Sequence, residues 1–365
     1  MYEHQGLQDI LFIMLYGGAT TLAFLVCCYF LFTRGNIFSS KYAPPKELRH
    51  WAAAFMASVV ASHIWWYVLG IHLLVDDRFA RNLTGITLDR LTFVPLMMCV
   101  LVRMLQDRRR PLWPIALAFA PVVVFALVCI VTRFDAFELY VECYSMLVGV
   151  AFIIIYVRAL REYGRWLHEN FADLERKELW QSMLLLAFIL FTYIAYTSNQ
   201  GGLLMEYLAQ VNTVVIIFFI LWRVETLQTL EVGDNDHTAA SLAMSIPDNI
   251  GEQLKISCED KQLYLQHDLT LQQLAIAIGT NRTYLSGYFA QQGITYNAYI
   301  NRLRIEYFVR LYRENIHSPQ TVTAIQLAQQ SGFYSYSTFS ASFKKYMGVT
   351  ATAWMKREEK GNPTS

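Results

Sequence analysis

Seven long apolar runs leave few folds open to this chain. Crossing the roughly 30 Å hydrocarbon core of a bilayer takes about 20 apolar residues in helix. Ile10–Thr33, Trp51–Val75, Pro111–Thr132 and Leu179–Ser198 reach that length without one Asp, Glu, Lys or Arg. Three more runs carry isolated charges: Leu83–Val102 holds Asp89 and Arg90, Ala136–Val157 holds Glu138 and Glu142, and Leu203–Trp222 holds Glu206. The chain is 55% hydrophobic and 16% charged with mean hydropathy +0.29, whereas globular domains carry about 25% charge. The first run is no signal peptide. It is 24 residues long, past the roughly 7–15 of a signal core, and Met1–Asp9 has Glu3 and Asp9 but no basic residue. The expected class is therefore all-α: a seven-helix transmembrane bundle over 1–222, then a helical soluble tail.

Loop cations orient the bundle, because Lys and Arg are retained on the cytoplasmic side. Arg34, Lys41, Lys46, Arg49, Arg103, Arg108, Arg109, Arg110, Arg158, Arg161, Arg165, Arg176 and Lys177 fall on one side; Arg78, Arg81 and Arg133 fall on the other. That places the N-terminus outside and, after an odd number of spans, the C-terminus in the cytoplasm. Cysteines supply no framework. Cys27, Cys28, Cys99, Cys129 and Cys143 sit in apolar runs and read as small packing residues; no zinc-type spacing occurs, so neither a metal nor a cofactor is expected.

Beyond Trp222 the character changes. Residues 223–247 read as a stalk and linker: Arg223–Val232 extends the last helix, with Val224 and Leu227 continuing the face of Ile220, and Gly233–Ile246 is rich in turn formers. The stalk face over 220–231 is a candidate homodimer contact. From 248 to 365 the pattern is helical. Leu271, Leu274, Ala275 and Ile278 make one amphipathic face, Gly279-Thr280 breaks it, and Asn281 is an N-cap for a helix burying Tyr284, Leu285, Tyr288 and Phe289. The arrangement recurs: Ala324, Leu327 and Ala328, a break at Ser331-Gly332-Phe333, then a helix from Ser335 or Tyr336 with Phe339 and Phe343 inward. A 17-residue helical pattern, Asn297–Arg313, lies between the repeats. Residues 269–365 carry a net charge of +6 against −5 for 1–268, a basic tail suited to a polyanion.

Gly332-Phe333, Ser335, Ser337, Phe339, Phe343-Lys344-Lys345 and Gly348, with Asn301, Arg304 and Glu306 between the repeats, give Leu269–Trp354 a close resemblance to the AraC/XylS-type DNA-binding domain. The stretch TNRTYLS is similar to versions common in Bacteroidetes, which implies a Gram-negative inner membrane. The resemblance implies two helix-turn-helix motifs on double-stranded DNA. Where the family often has Arg on each recognition helix, this chain has Gly287 and Ala341, removing two side chains able to grip guanine in bidentate fashion. Base readout then falls to Thr283, Ser286, Tyr336, Ser337 and Thr338, with Arg282, Lys344 and Lys345 on phosphates. Ala351 replaces a usual Pro and Phe308 a usual Ala, both as packing changes. Tyr288, Phe289, Phe333, Phe343 and Trp354 are expected in the core.

The membrane part resembles no known family. Charged groups inside a span are costly and mark function, and Asp89, Arg90, Glu138, Glu142 and Glu206 lie in the outer halves of their runs, joined by His72 and, nearer the middle, His63. They form a candidate sensor pocket. Its excess of carboxylates suits a cationic or zwitterionic small molecule or a pH signal, with Arg90 held by one carboxylate. The whole reads as a one-component membrane regulator without enzymatic activity. A transporter or a carboxylate-based membrane enzyme using Glu138 and Glu142, each with a DNA-binding tail, and a passive anchor remain alternatives. No Lys in the last two runs excludes a retinal protein, and no HExxH motif is present.

Overall fold

The computed structural model describes residues 7–33, 35–37, 44–132, 136–172, 174, 203–227, 230, 249–315 and 323–361. The expected span Leu179–Ser198, the linker Gly233–Ile246 and the cations Arg34, Lys41, Arg133, Arg176 and Lys177 fall outside them. Among the described residues all regular structure is helical. The chain divides into two compact units: residues 1–163 with 179–232, and 164–178 with 233–365. Residues 164–178 precede the last apolar runs in sequence yet group with the tail's unit.

The first unit contains α1 (Leu7–Phe32), α2 (Lys46–Val68, continued by a π-helical turn at Leu69–Leu73), α3 (Arg78–Met104), α4 (Trp113–Thr132), most of α5 (Ala136–Asn170) and α6 (Leu203–Thr226). Sequential helices pack together from α1 to α4, and α6 returns against α1 and α2. Met98, Phe119, Val122 and Val141 tie α3, α4 and α5. Among the described residues, five helical stretches are long and apolar enough to cross a membrane: Ile10–Phe32, Lys46–Leu73, Phe79–Met104, Tyr140–Asn170 and Glu206–Thr226. α4 supplies a shorter one, Trp113–Cys129.

Burial within this unit is one-sided. On α1 the buried stripe is Ala19, Ala23, Val26 and Phe30, while Ile13, Met14, Phe24 and Leu31 are exposed. Leu117, Leu147 and Phe218 repeat that exposure on α4, α5 and α6. A helix in water shows a polar outer face; these outer faces are apolar. Gly85 lets α3 approach α2 closely, since a Cβ there would stand 2.7 Å from the Trp66 ring. The stalk helix is shorter than expected. It stops at Thr226, and Ile220, Val224, Leu227 and Leu230 of the expected homodimer face over 220–231 are buried within the chain. Among the cysteines, Cys143 is exposed rather than packed.

The second unit holds α7 (Ile250–Leu254, followed by a π-helical turn at Lys255–Asp260), α8 (Leu271–Ala277), α9 (Arg282–Gln291), α10 (Tyr296–Asn315), α11 (Ala324–Gln330), α12 (Tyr336–Met347) and α13 (Ala351–Gly361). Two small cores share the long helix α10. Tyr296, Tyr299, Ile300 and Leu303 face Leu271, Leu274, Leu285 and Phe289. Ile305, Phe308 and Tyr312 face Leu327, Phe333, Phe339, Phe343 and Trp354. At 1.5 Å per residue, the 20 residues of α10 make a rod of about 30 Å.

Candidate functional site

Each half of the tail is started by the same local chemistry. Thr270 caps α8, accepting from the Gln273 amide while the Gln273 side chain accepts from the Thr270 amide; Thr323 and Gln326 repeat this at α11. Such a capping box satisfies two otherwise orphaned amides. Gly279 and Gly332 then turn the chain with φ of 74° and 88°, a region that only glycine enters cheaply. At Gly332 there is no space either: a Cβ would lie 2.9 Å from the Leu265 backbone. Asn281 caps α9 by accepting from the Tyr284 amide, and Ser335 caps α12 by accepting from the Thr338 amide.

Arg304 joins the halves. Its guanidinium is fully buried, donates from Nε to the Tyr264 carbonyl at 2.7 Å and from Nη2 to the Gln266 carbonyl at 2.6 Å, and lies 5.7 Å from the Phe333 ring centroid. One side chain on the shared helix thus fixes the approach to α8 and the turn before α12.

On α12, Ser337, Ala341, Lys344 and Lys345 are exposed at the three- and four-residue spacing of one helix face. On α9 the equivalent positions, 54 residues earlier, are Thr283, Gly287, Ala290 and Gln291, also exposed. Ser286 is half-buried. Thr338 is half-buried and its hydroxyl accepts from Ser335 Oγ at 3.1 Å; the Ser335 and Ser337 hydroxyls are 3.0 Å apart. Tyr336 packs partly into the second core, with its ring 5.5 Å from Phe339. Tyr284 departs from the expected core face and is 44% exposed. The core takes Leu285 and Phe289 fully and Tyr288 in part, so the stripe runs one residue to the side of Tyr284. Phe289, Phe333, Phe343 and Trp354 are buried, as are Phe308 and Ala351 at the two packing changes. Burial, with the Glu259 carboxylate beside it, pushes the Cys258 thiol up to about 12.

In the helical bundle, the charged and polar side chains separate into groups. Ser62 Oγ donates to Asp89 Oδ1 at 2.6 Å and Trp66 Nε1 to Asp89 Oδ2 at 2.8 Å. His63 Nε2 is 3.0 Å from Gln210 Oε1, and Tyr16 donates to the His63 carbonyl at 2.7 Å. Arg90 Nη2 stands 3.7 Å from Glu142 Oε1. Glu138 lies one turn before Glu142 on α5. His72 and Glu206 are exposed. Tyr16, Ser62, Trp66 and Gln210 are members that sequence reasoning missed, being neutral and spread over helices with no shared motif. A second set was also missed. Arg49, counted as a loop cation, is buried 3.4 Å from the buried Glu225, whose carboxylate accepts from Tyr29 at 2.9 Å. Asn36 donates to the Glu225 backbone carbonyl at 2.7 Å.

Comparison with known proteins bears on one region. Residues 262–357 match the family model described as Helix-turn-helix domain. Neither the curated proteins nor the solved structures contain a match. With the paired motifs, the shared rod and the AraC-type sequence pattern, residues 262–357 form an AraC-type helix-turn-helix domain.

Proposed function

We propose that this protein is a one-component regulator embedded in the inner membrane, its bundle sensing an extracytoplasmic or membrane signal and its tail binding DNA in the cytoplasm. The observation that carries the reading is the pairing, on one chain, of helices with apolar outer faces such as Met14, Phe24 and Leu147 with the DNA-binding domain at 262–357. Water would not tolerate so much exposed apolar surface on several helices, and lipid favours it. Thr283, Ser286, Ser337 and Thr338 serve base readout, with Tyr336 limited by its packing; Arg282, Lys344 and Lys345 meet phosphates. With Gly287 and Ala341 facing outward, sequence preference draws on DNA shape.

Arg90, Glu142, Asp89 and His63 are the proposed sensing groups, the first two paired across α3 and α5. A ligand shifts such a protein only through unequal affinity for its two states. Glu142→Gln is therefore expected to leave membrane abundance unchanged and to fix reporter output at one level. Chromatin crosslinked to the tagged full chain, recovered from the membrane fraction and sequenced, tests the whole reading: discrete enriched sites support it. Enrichment no greater than for a Lys344→Ala, Lys345→Ala chain would contradict it.

A further inference from the structure

The end of α5 and the residues just after it form part of the DNA-binding unit, and they sit on the first helix-turn-helix. Phe171 makes an antiparallel bridge with Thr270, the cap of α8. Asn297 Nδ2 donates to the carbonyls of Phe171 at 3.0 Å and Ala172 at 2.7 Å, and Asn301 Nδ2 to that of Ala172 at 3.0 Å. Asn297 and Asn301 are one turn apart on α10 and so present one row of donors. Ala172 is buried among Leu254, Cys258 and Leu271 in the first core. Trp166 packs edge-on against Phe171 at 5.5 Å, and the Arg282 guanidinium lies 5.9 Å from its ring centroid.

That last contact decides what the docking does. Arg282 is the first residue of the recognition helix α9 and its one cation. With Trp166 at its guanidinium, the first half of the domain has no other recognition-helix charge to offer a phosphate. The segment has two parts. Leu167, Asn170 and Ala172 are buried, and two asparagines hold the carbonyls of Phe171 and Ala172, while Trp166 and Phe171 stay half-buried. The half-buried contact of Trp166 with Arg282 is the part that a modest bias can exchange.

We propose that residues 164–172 are an autoinhibitory strap: docked, they hold the Arg282 guanidinium at Trp166, and DNA phosphate and strap compete for that side chain. Residues 164–170 are the end of α5, whose earlier turns belong to the first unit, so the strap is continuous with that unit along the chain. The proposal rests on the reading of Arg282 as a phosphate contact. It makes the strap, rather than the 233–247 linker, the route of regulation.

The test uses the full chain in lipid nanodiscs and a fluorescent duplex of about 30 base pairs, long enough for two successive grooves, at low salt. Trp166→Ala is expected to bind about fivefold more tightly than the wild type, the size of one cation–π contact, and Asn297→Ala to tighten binding similarly. In an Arg282→Ala background the gain from Trp166→Ala should vanish. Hydrogen exchange supplies the second readout: amides of residues 166–172 should be protected in the free protein and exchange faster when the duplex saturates it. Unchanged or weaker binding by Trp166→Ala overturns the strap, since a purely structural segment gives that result. Undiminished protection at saturation overturns it as well. If neither wild type nor variant binds the duplex, the phosphate-contact reading itself fails and the strap falls with it, even where exchange shows the segment docked.

Discussion

The two helix-turn-helix halves share a plan and differ in what surrounds it. Both begin with a Thr-x-x-Gln capping box, turn at a glycine with positive φ, and start the recognition helix on a polar cap. The second half is closed by an aromatic cluster of Phe308, Phe333, Phe339, Phe343 and Trp354 and carries Lys344 and Lys345 on its exposed face. The first half is closed by aliphatic residues, tyrosines and the single phenylalanine Phe289, includes Ala172 from far back in the sequence, and has Ala290 and Gln291 where the second has lysines. Similar local signals thus build one half on its own residues, with two exposed lysines, and the other on a core that includes a residue from the segment at 164–172.

The strongest way to break the comparison is at its joint. Arg304→Ala leaves the buried Tyr264 carbonyl and the partly buried Gln266 carbonyl without their charged donor and is expected to cost about 3 kcal/mol, lowering exchange protection of α10 amides on both sides of the helix. Loss confined to one half would show that Arg304 does not couple them. Next come the turns. Gly332→Ala adds the positive-φ penalty to a clash with the Leu265 backbone at 2.9 Å and should cost about 2–4 kcal/mol. Gly279→Ala meets nothing within 4 Å and should cost about 1–2 kcal/mol; equal costs would remove this difference between the halves.

Charge gives a smaller effect. Lys344→Ala with Lys345→Ala should weaken binding to all sequences alike and flatten the slope of log K against log[salt] by about 1.8, at roughly 0.9 per phosphate contact. Ser337→Ala or Thr283→Ala should instead alter which sequence is preferred. The smallest concerns Cys258 in the first core. Its thiol is held neutral, with the pKa raised from 9.0 to about 12, so its contribution to stability is complete below pH 9 and is lost as pH rises from there. Peptide mapping after maleimide treatment of the folded chain at pH 7 should find Cys258 unmodified. Ready labelling would place it outside the core.

What the sequence made legible was local or periodic. Apolar run length located the helices of the bundle, and spacing with caps such as Asn281 and Ser335 located those of the tail. Contacts between distant, neutral partners left no trace. Asn297 and Phe171 are 126 residues apart, and nothing in either stretch marks an asparagine that holds a carbonyl so far away. His63 and Asp89 stood out as polar groups in apolar runs, but their partners Gln210, Ser62 and Trp66 are unremarkable there. Position alone misled at Arg49, which has the address of a loop cation while lying buried against Glu225.

Everything proposed for the protein requires the bundle to cross the membrane and to deliver the DNA-binding domain to the cytoplasm, and enzyme fusions read that directly. Alkaline phosphatase, active only outside the cytoplasm, should be active when fused after Ala80 or Asp135. It should be inactive after Pro45 or at the C-terminus. Activity at the C-terminal fusion, with silence after Ala80, would put the helix-turn-helix pair on the side of the membrane without DNA and contradict the account.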